Sequence, residues 1–256
     1  MNLEGSMRIM LTVGLFLSGI VAADIPKRHC RSQRAAVPAY RIEFQQSYVR
    51  PHLVWPGSGV YGSSPTRRLM ELYKIVLEAG LATSMAEKKL GPDGVRYLSH
   101  YLSNTGSDLE VDMARLIADC SIVASNYHRA QAEAKRFVQT LPVGEHNFVA
   151  VKVTAIEITG KDSRNWHFAL GAVYGWGKGS VTISERSPGL RQYDMRFSYV
   201  ILDYYDWPDV DTSIFGRDHL LRRVTDRWMG EFHRQKLAHD YRANGQSALK
   251  RLLWND

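Results

Sequence analysis

Gln192-Tyr193-Asp194-Met195-Arg196-Phe197-Ser198-Tyr199-Val200-Ile201-Leu202 runs without a break into Asp203-Tyr204-Tyr205-Asp206-Trp207. Aromatic and β-branched residues dominate this stretch, which is the composition of a half-buried pleated strand. Three more strand signals precede it. Phe148, Ala150, Lys152 and Thr154 alternate with Val149, Val151, Val153 and Ala155, and β-branched residues continue to Thr159-Gly160. The stretch 165–176, beginning Asn165-Trp166-His167-Phe168, reads as a second strand, Gly177-Lys178-Gly179 as a turn, and Ser180-Val181-Thr182-Ile183 as a third strand. Ser187-Pro188-Gly189 then breaks the chain before the opening stretch. Strands joined by such short connections are antiparallel, because a parallel pair needs a crossover of a dozen residues or more.

Upstream the period is helical. Ser64 followed by Pro65 gives an N-cap and a first helical residue, and Leu69, Leu72, Tyr73, Val76 and Leu77 recur at helical spacing up to Gly80. A second helix is expected from about Asp93, with Val95, Leu98 and Leu102 on one face, ending at Asn104 and Gly106. Residues 108–140 read as one long core helix, with Leu109, Met113, Leu116, Cys120, Val123, Tyr127, Ala134 and Phe137 in its stripe. A last helix is expected over 218–241, burying Leu221, Val224, Trp228 and Phe232. The fold class that follows is α+β: a helical region over 64–141 packed against a β-rich C-terminal region over 142–256, an antiparallel sheet or open barrel with a final helix. Residues 24–63, rich in Pro, Gly, Ser and Arg, read as an exposed extended arm or linker.

The ends and the charge set the context. Residues 9–23 form an uncharged run of 15 after Arg8, closing on Ala22-Ala23. That is short for a membrane span and suits a signal peptide over 1–23, with the start at Met1 or Met7, so export to the periplasm or beyond is expected. A membrane anchor or a buried helix is the other reading of the same run. Cys30 and Cys120 either pair as one disulfide or stay as two thiols. A formal charge of +7 favours polyanionic partners, among them anionic lipid surfaces and phosphorylated substrates. The chain carries no Gly-rich phosphate loop, no zinc-protease motif and no nucleophile elbow.

The chemistry-bearing group is the end of the opening strand. Asp203 and Tyr205 share one strand face, and Tyr204 and Asp206 share the other unless the chain bends before Pro208. Two carboxylates brought together at such a bend repel one another, and a divalent cation such as Mg2+ on Asp203 and Asp206 relieves the repulsion. His233 and Arg234 follow on the last expected helix, with His233 at the margin of its apolar stripe. The plain alternative is turn hydrogen bonds for the aspartates and a structural histidine. His167 is a further candidate lining residue, and Gly230 a site of close approach.

The run 165–171, then Asp203-x-Tyr205-Asp206-Trp207, then Gly230-Glu231-Phe232-His233-Arg234-Gln235 resembles uncharacterised bacterial proteins found among secreted antibacterial effectors. The Asp-x-Tyr-Asp followed by His-Arg is also similar to the signature of colicin M-like bacteriocins, where a short spacer joins the two elements. Here 26 residues separate Asp206 from His233. The resemblance implies cleavage of a lipid-linked peptidoglycan precursor in the periplasm with the help of a divalent cation. It also implies an immunity protein as partner, and Asp203, Tyr205, Asp206, His233 and Arg234 as the catalytic positions. Two other readings stay open: a non-catalytic secreted binding or membrane-active module, and a nuclease toxin. The export signal disfavours nucleic acid as target.

Overall fold

The computed structural model describes residues 40–42, 66–207 and 226–256. The expected signal peptide, Cys30, the Ser64-Pro65 helix start, Pro208, Leu221 and Val224 lie outside the described residues. The architecture is α+β. Two 16-residue strands, β5 (Ala172–Ser187) and β6 (Leu190–Tyr205), form a long antiparallel hairpin closed by Pro188 and Gly189. Gly189 takes φ +81°, which is strained for any other residue type except Asn or Asp.

Each long strand shares its outer edge between two short ones. β3 (Gly144–Ala150) pairs with 178–183 of β5, and β4 (Thr154–Glu157) with 172–175. On β6, β8 (Lys250–Asn255) pairs with 192–197 and β7 (Tyr241–Gln246) with 200–205. β1 (Tyr40–Ile42) joins β3, and β2 (Leu109–Glu110) joins β7 as the parallel pair of this eight-stranded sheet. The expected strand over 148–159 is therefore two strands interrupted at 151–153.

One face of β6 carries Tyr193, Met195, Phe197, Tyr199, Ile201, Asp203 and Tyr205, all buried. Helices cover that face. α5 (Ser121–Val138) crosses its middle, with the Tyr127 ring 6.0 Å from both Phe197 and Tyr199. α3 (Pro92–Leu102) lies over its end, where Tyr97 and Tyr101 pack on Tyr205. Within the segment expected to be an exposed arm, Tyr40 is instead buried and donates its hydroxyl to Ala130 O at 2.7 Å.

Several elements differ from the sequence reading, each for a local reason. α1 (Arg67–Leu81) starts with Thr66 as N-cap, and a short helix α2 (Ser84–Leu90) follows it, capped by Thr83. The single helix expected over 108–140 is β2, α4 (Met113–Asp119) and α5. Asp112 caps α4 through Arg115 N at 3.0 Å, and Cys120 is extended, φ −125° and ψ 101°, so the apolar stripe continues across a kink. Residues Arg164–Ala169 form helix α6 and not a strand, because Ser163 Oγ accepts the Trp166 amide as an N-cap. Gly177-Lys178-Gly179 is the middle of β5 and not a turn. The last helix, described over Asp226–Arg234 (α7), stops at Arg234 and does not continue to Tyr241, and β7 and β8 follow it.

α3, α4 and α6 are joined by a buried carboxylate. Asp93 accepts Arg115 Nη2 and Asn165 Nδ2, both at 2.6 Å, while its amide donates to Asn165 Oδ1 at 2.8 Å. This linkage sets α3 at a fixed height over the end of β6, which positions Tyr97 and Tyr101.

Candidate functional site

β6 bends where the ladder stops. Asp206 N–H donates to Tyr204 O at 3.0 Å, an i to i+2 bond that turns the chain immediately after Tyr205. Side-chain alternation breaks at this point: Tyr205 and Asp206 are consecutive and both buried, at 1% and 8% exposure, and Asp203 is buried at 6%. Asp203 and Tyr205 remain on the helix-covered face, as strand periodicity requires.

The long connection closes in space. Tyr205 is the Cα partner of Tyr241 at the start of β7, and their rings stack at 4.9 Å and 16°. In this antiparallel pair Asp206 follows the last residue of β6 and Asp240 precedes the first residue of β7. Asp240 N–H in turn donates to His233 Nδ1 at 2.9 Å. Tyr101 holds both strand ends to α7. Its ring packs on Tyr205 at 5.9 Å and on Trp207 at 6.1 Å, its hydroxyl donates to Met229 O, and its carbonyl accepts His239 N–H at 3.1 Å. His233 is thus tied, through Asp240, to the start of β7, whose first residue pairs with Tyr205.

His233 is half-buried, its ring edge-on to His239 at 5.0 Å and its Nδ1 3.4 Å from Asp240 Oδ1. An Nδ1 that accepts a main-chain N–H has no proton of its own, so the neutral ring carries its proton on Nε2. In that form it donates a hydrogen bond and cannot accept one at Nε2. Long-range 15N–1H correlation spectra of the neutral ring are expected to show His233 as the Nε2–H tautomer. An Nδ1–H pattern would remove the donor role.

Arg234 is about half exposed and its guanidinium is held by Glu231, which is buried at 2%, through Nε to Oε2 at 2.7 Å and Nη2 to Oε1. Glu231 also accepts Gln235 Nε2 at 2.5 Å. A pinned guanidinium of this kind keeps a fixed orientation. His167 lies elsewhere, on α6, with Nδ1 2.8 Å from Ile158 O, a structural contact. Gly230 is buried within α7.

Sequence reasoning missed Tyr97, Tyr101, Asp240 and Tyr241. The alternation Tyr241-Ala243-Gly245, buried residues set between polar ones, is the strand signal that marks the last two, and it was masked by the apparent continuation of the helix. Tyr97 and Tyr101 sit at i and i+4 on α3, a helical pair that carries no chemistry until the fold brings it to Tyr205.

Mg2+ is bound through one or two carboxylates together with water and substrate phosphates. Asp203 and Asp206 are carboxylates, the ligand type such an ion takes, and among the described residues no three His, Cys, Asp or Glu side chains cluster as a metal cage.

No protein-family model and no curated protein matches the chain. Among solved structures it resembles PaeM, a colicin M-like bacteriocin produced by Pseudomonas aeruginosa, with 16% identity, TM-score 0.36, 65% of this chain and 52% of that one covered. Pectocin M2 gives 14% identity and TM-score 0.28 over 74% of this chain and 62% of its own. Truncated syringacin M from Pseudomonas syringae pv. tomato DC3000 gives 14% and 0.27 over 64% and 59%. The chain therefore spans roughly half to three fifths of each of these.

Proposed function

We propose that this chain is an antibacterial effector of the cell envelope that hydrolyses a phosphoester of a lipid-linked peptidoglycan precursor. The observation that carries the reading is the hydrogen bond from Asp240 N to His233 Nδ1 beside the Tyr205–Tyr241 pair. That bond ties His233 to the neighbour of Tyr241, the strand partner of Tyr205, and so supports reading the Asp-x-Tyr-Asp and His-Arg elements as one site across 26 intervening residues. Asp206 acts as base toward water or as cation ligand, His233 Nε2–H and Arg234 face the phosphoryl oxygens, and Tyr205 braces the strand end. A divalent cation on Asp206 and Asp203 would add charge neutralisation at the phosphoryl group. The net charge of +7 favours approach to an anionic substrate at an anionic surface. Export to the periplasm and an immunity protein as partner belong to the same proposal.

A membrane-active, non-catalytic reading has its own support. α1 exposes Leu69, Leu72 and Ile75 at 38%, 57% and 62%, an apolar strip that its packing on the core leaves uncovered. No helix among the described residues is long and apolar enough to cross a membrane.

One experiment separates the two. Purified protein is incubated with dye-loaded vesicles, with and without labelled lipid-linked precursor. Release of a water-soluble phosphorylated headgroup, lost on chelation of divalent cations, is the expected result. Dye leakage from precursor-free vesicles without headgroup release would replace the hydrolase with the membrane-active module.

A further inference from the structure

The aromatic cluster over the sheet end contains a buried hydroxyl with no partner among the described residues. Tyr97 is fully buried, and its hydroxyl makes no hydrogen bond although its carbonyl accepts Tyr241 Oη–H at 2.9 Å. The ring is wedged between Tyr205 at 6.3 Å, Tyr241 at 6.5 Å and Trp166 at 6.5 Å. α3 therefore sets Tyr97 over the face of β6 on which Asp203 stands, two residues from Tyr205 along the strand. Burial pushes the Tyr97 phenol well above its ordinary range; the Arg96 charge opposes this, and Asp93, Asp203 and the Tyr205 phenol push upward. The hydroxyl consequently stays protonated and keeps a proton to donate. Buried hydroxyls in folded proteins are satisfied in the great majority of cases, by protein groups or by an ordered water with several polar partners.

We infer that Tyr97 is a positioning residue for Asp203: its hydroxyl donates to one buried water that also donates to the Asp203 carboxylate. The link fixes the side-chain orientation of Asp203 behind Tyr205 and Asp206. It deepens the hydrolase reading and rests on the strand end being the reacting site. Tyr97 itself does not touch substrate.

The test is a thermal-unfolding cycle of the full chain: wild type, Tyr97→Phe, Asp203→Asn and the double variant. Both singles keep shape and remove one end of the link. Tyr97→Phe is expected to lower Tm by about 3 °C, and the double variant to unfold no lower than the less stable single, because one link is broken only once. Tyr97→Phe is also expected to lower kcat for headgroup release about tenfold with KM unchanged, a split that loss of packing alone would not produce. If the hydroxyl is merely an idle packing group, Tyr97→Phe raises Tm and the two substitutions add, and the inference falls. The unfolding cycle needs no activity, so it decides the link even if the wild-type protein releases no headgroup. Should Asp203→Asn fail to fold, a high-resolution crystal structure of the wild-type protein decides. Water between Tyr97 Oη and Asp203 is the expected density, and Tyr97 Oη with neither water nor carboxylate beside it overturns the assignment.

Discussion

Cells that export the chain to their own periplasm are expected to survive the Asp206→Asn variant at least about 10²-fold better than the wild type, the lower end of what a positioned base or charge stabiliser contributes. Asp206 is chosen over Asp203 on geometry. Asp203 stands within the ladder, opposite Ala243, on the face covered by α3. Asp206 stands just past the last paired residue, where its N–H bonds Tyr204 O and the chain turns. A substitution past the end of the ladder also disturbs the sheet less than one inside it. Asn preserves the size and one acceptor oxygen while removing the charge, so the loss reports chemistry more than packing. His233→Ala is expected to give a similar loss. Circular dichroism and Tm measured on both variants separate loss of function from loss of fold. Full killing by a folded Asp206→Asn protein would remove the strand end as the site. Killing that persists in the cytoplasm without export would redirect attention to an intracellular target.

The sequence made the β-rich half legible where side-chain period and turn residues agree. The opening strand 192–205 and the Ser187-Pro188-Gly189 break are where the alternation and turn chemistry placed them. The reading failed where one signal was over-extended. Residues 165–171 contain the aromatic composition of a strand, yet Ser163 offers an N-cap, and the i to i+4 spacing of Asn165 and Ala169 matches a helical turn packed on α3. The stripe from Leu109 to Val138 keeps a near-helical period across Cys120 because α4 and α5 present adjacent apolar faces to one core. A pattern in one dimension cannot register that break. The C-terminal strands were missed for the opposite reason: Lys236 takes φ 59° and ends the helical region, but a positive φ at a lysine has no sequence signature. Of the candidate site, the residue types at 203–206 and 233–234 were legible. The link between them through β7 was not, because it depends on Tyr241 pairing with Tyr205, a contact set by strand register.

Gly179→Ala is expected to destabilise the fold by at least about 3 kcal/mol and to lower Tm by roughly 10 °C, among the largest effects of a single methyl group. A turn at Gly177-Lys178-Gly179 would tolerate the change when φ is negative, since turn glycines mostly face water. In the structure Gly179 is opposite Phe197 in the central hairpin and also opposite Phe148 of β3. A Cβ there would fall far inside contact distance of Arg196 O and 2.7 Å from the Phe148 ring. The carbonyl is main chain of the longest ladder and cannot swing aside as a flexible side chain would. The Phe148 ring is itself locked edge-on against Tyr40, at 5.8 Å, and packed on Phe137, at 6.4 Å. Relief therefore requires β5 and β6 to separate, which would move the strand end that carries Asp203 and Asp206, 24 and 27 positions further along the chain. Gly160→Ala is the control, because nothing lies within 4 Å of its added methyl group. Its Tm is expected to stay within about 2 °C of wild type. Equal stability of the two variants would mean that Gly179 is not packed between strands, and the continuous β5 that positions the sheet end would have to be abandoned.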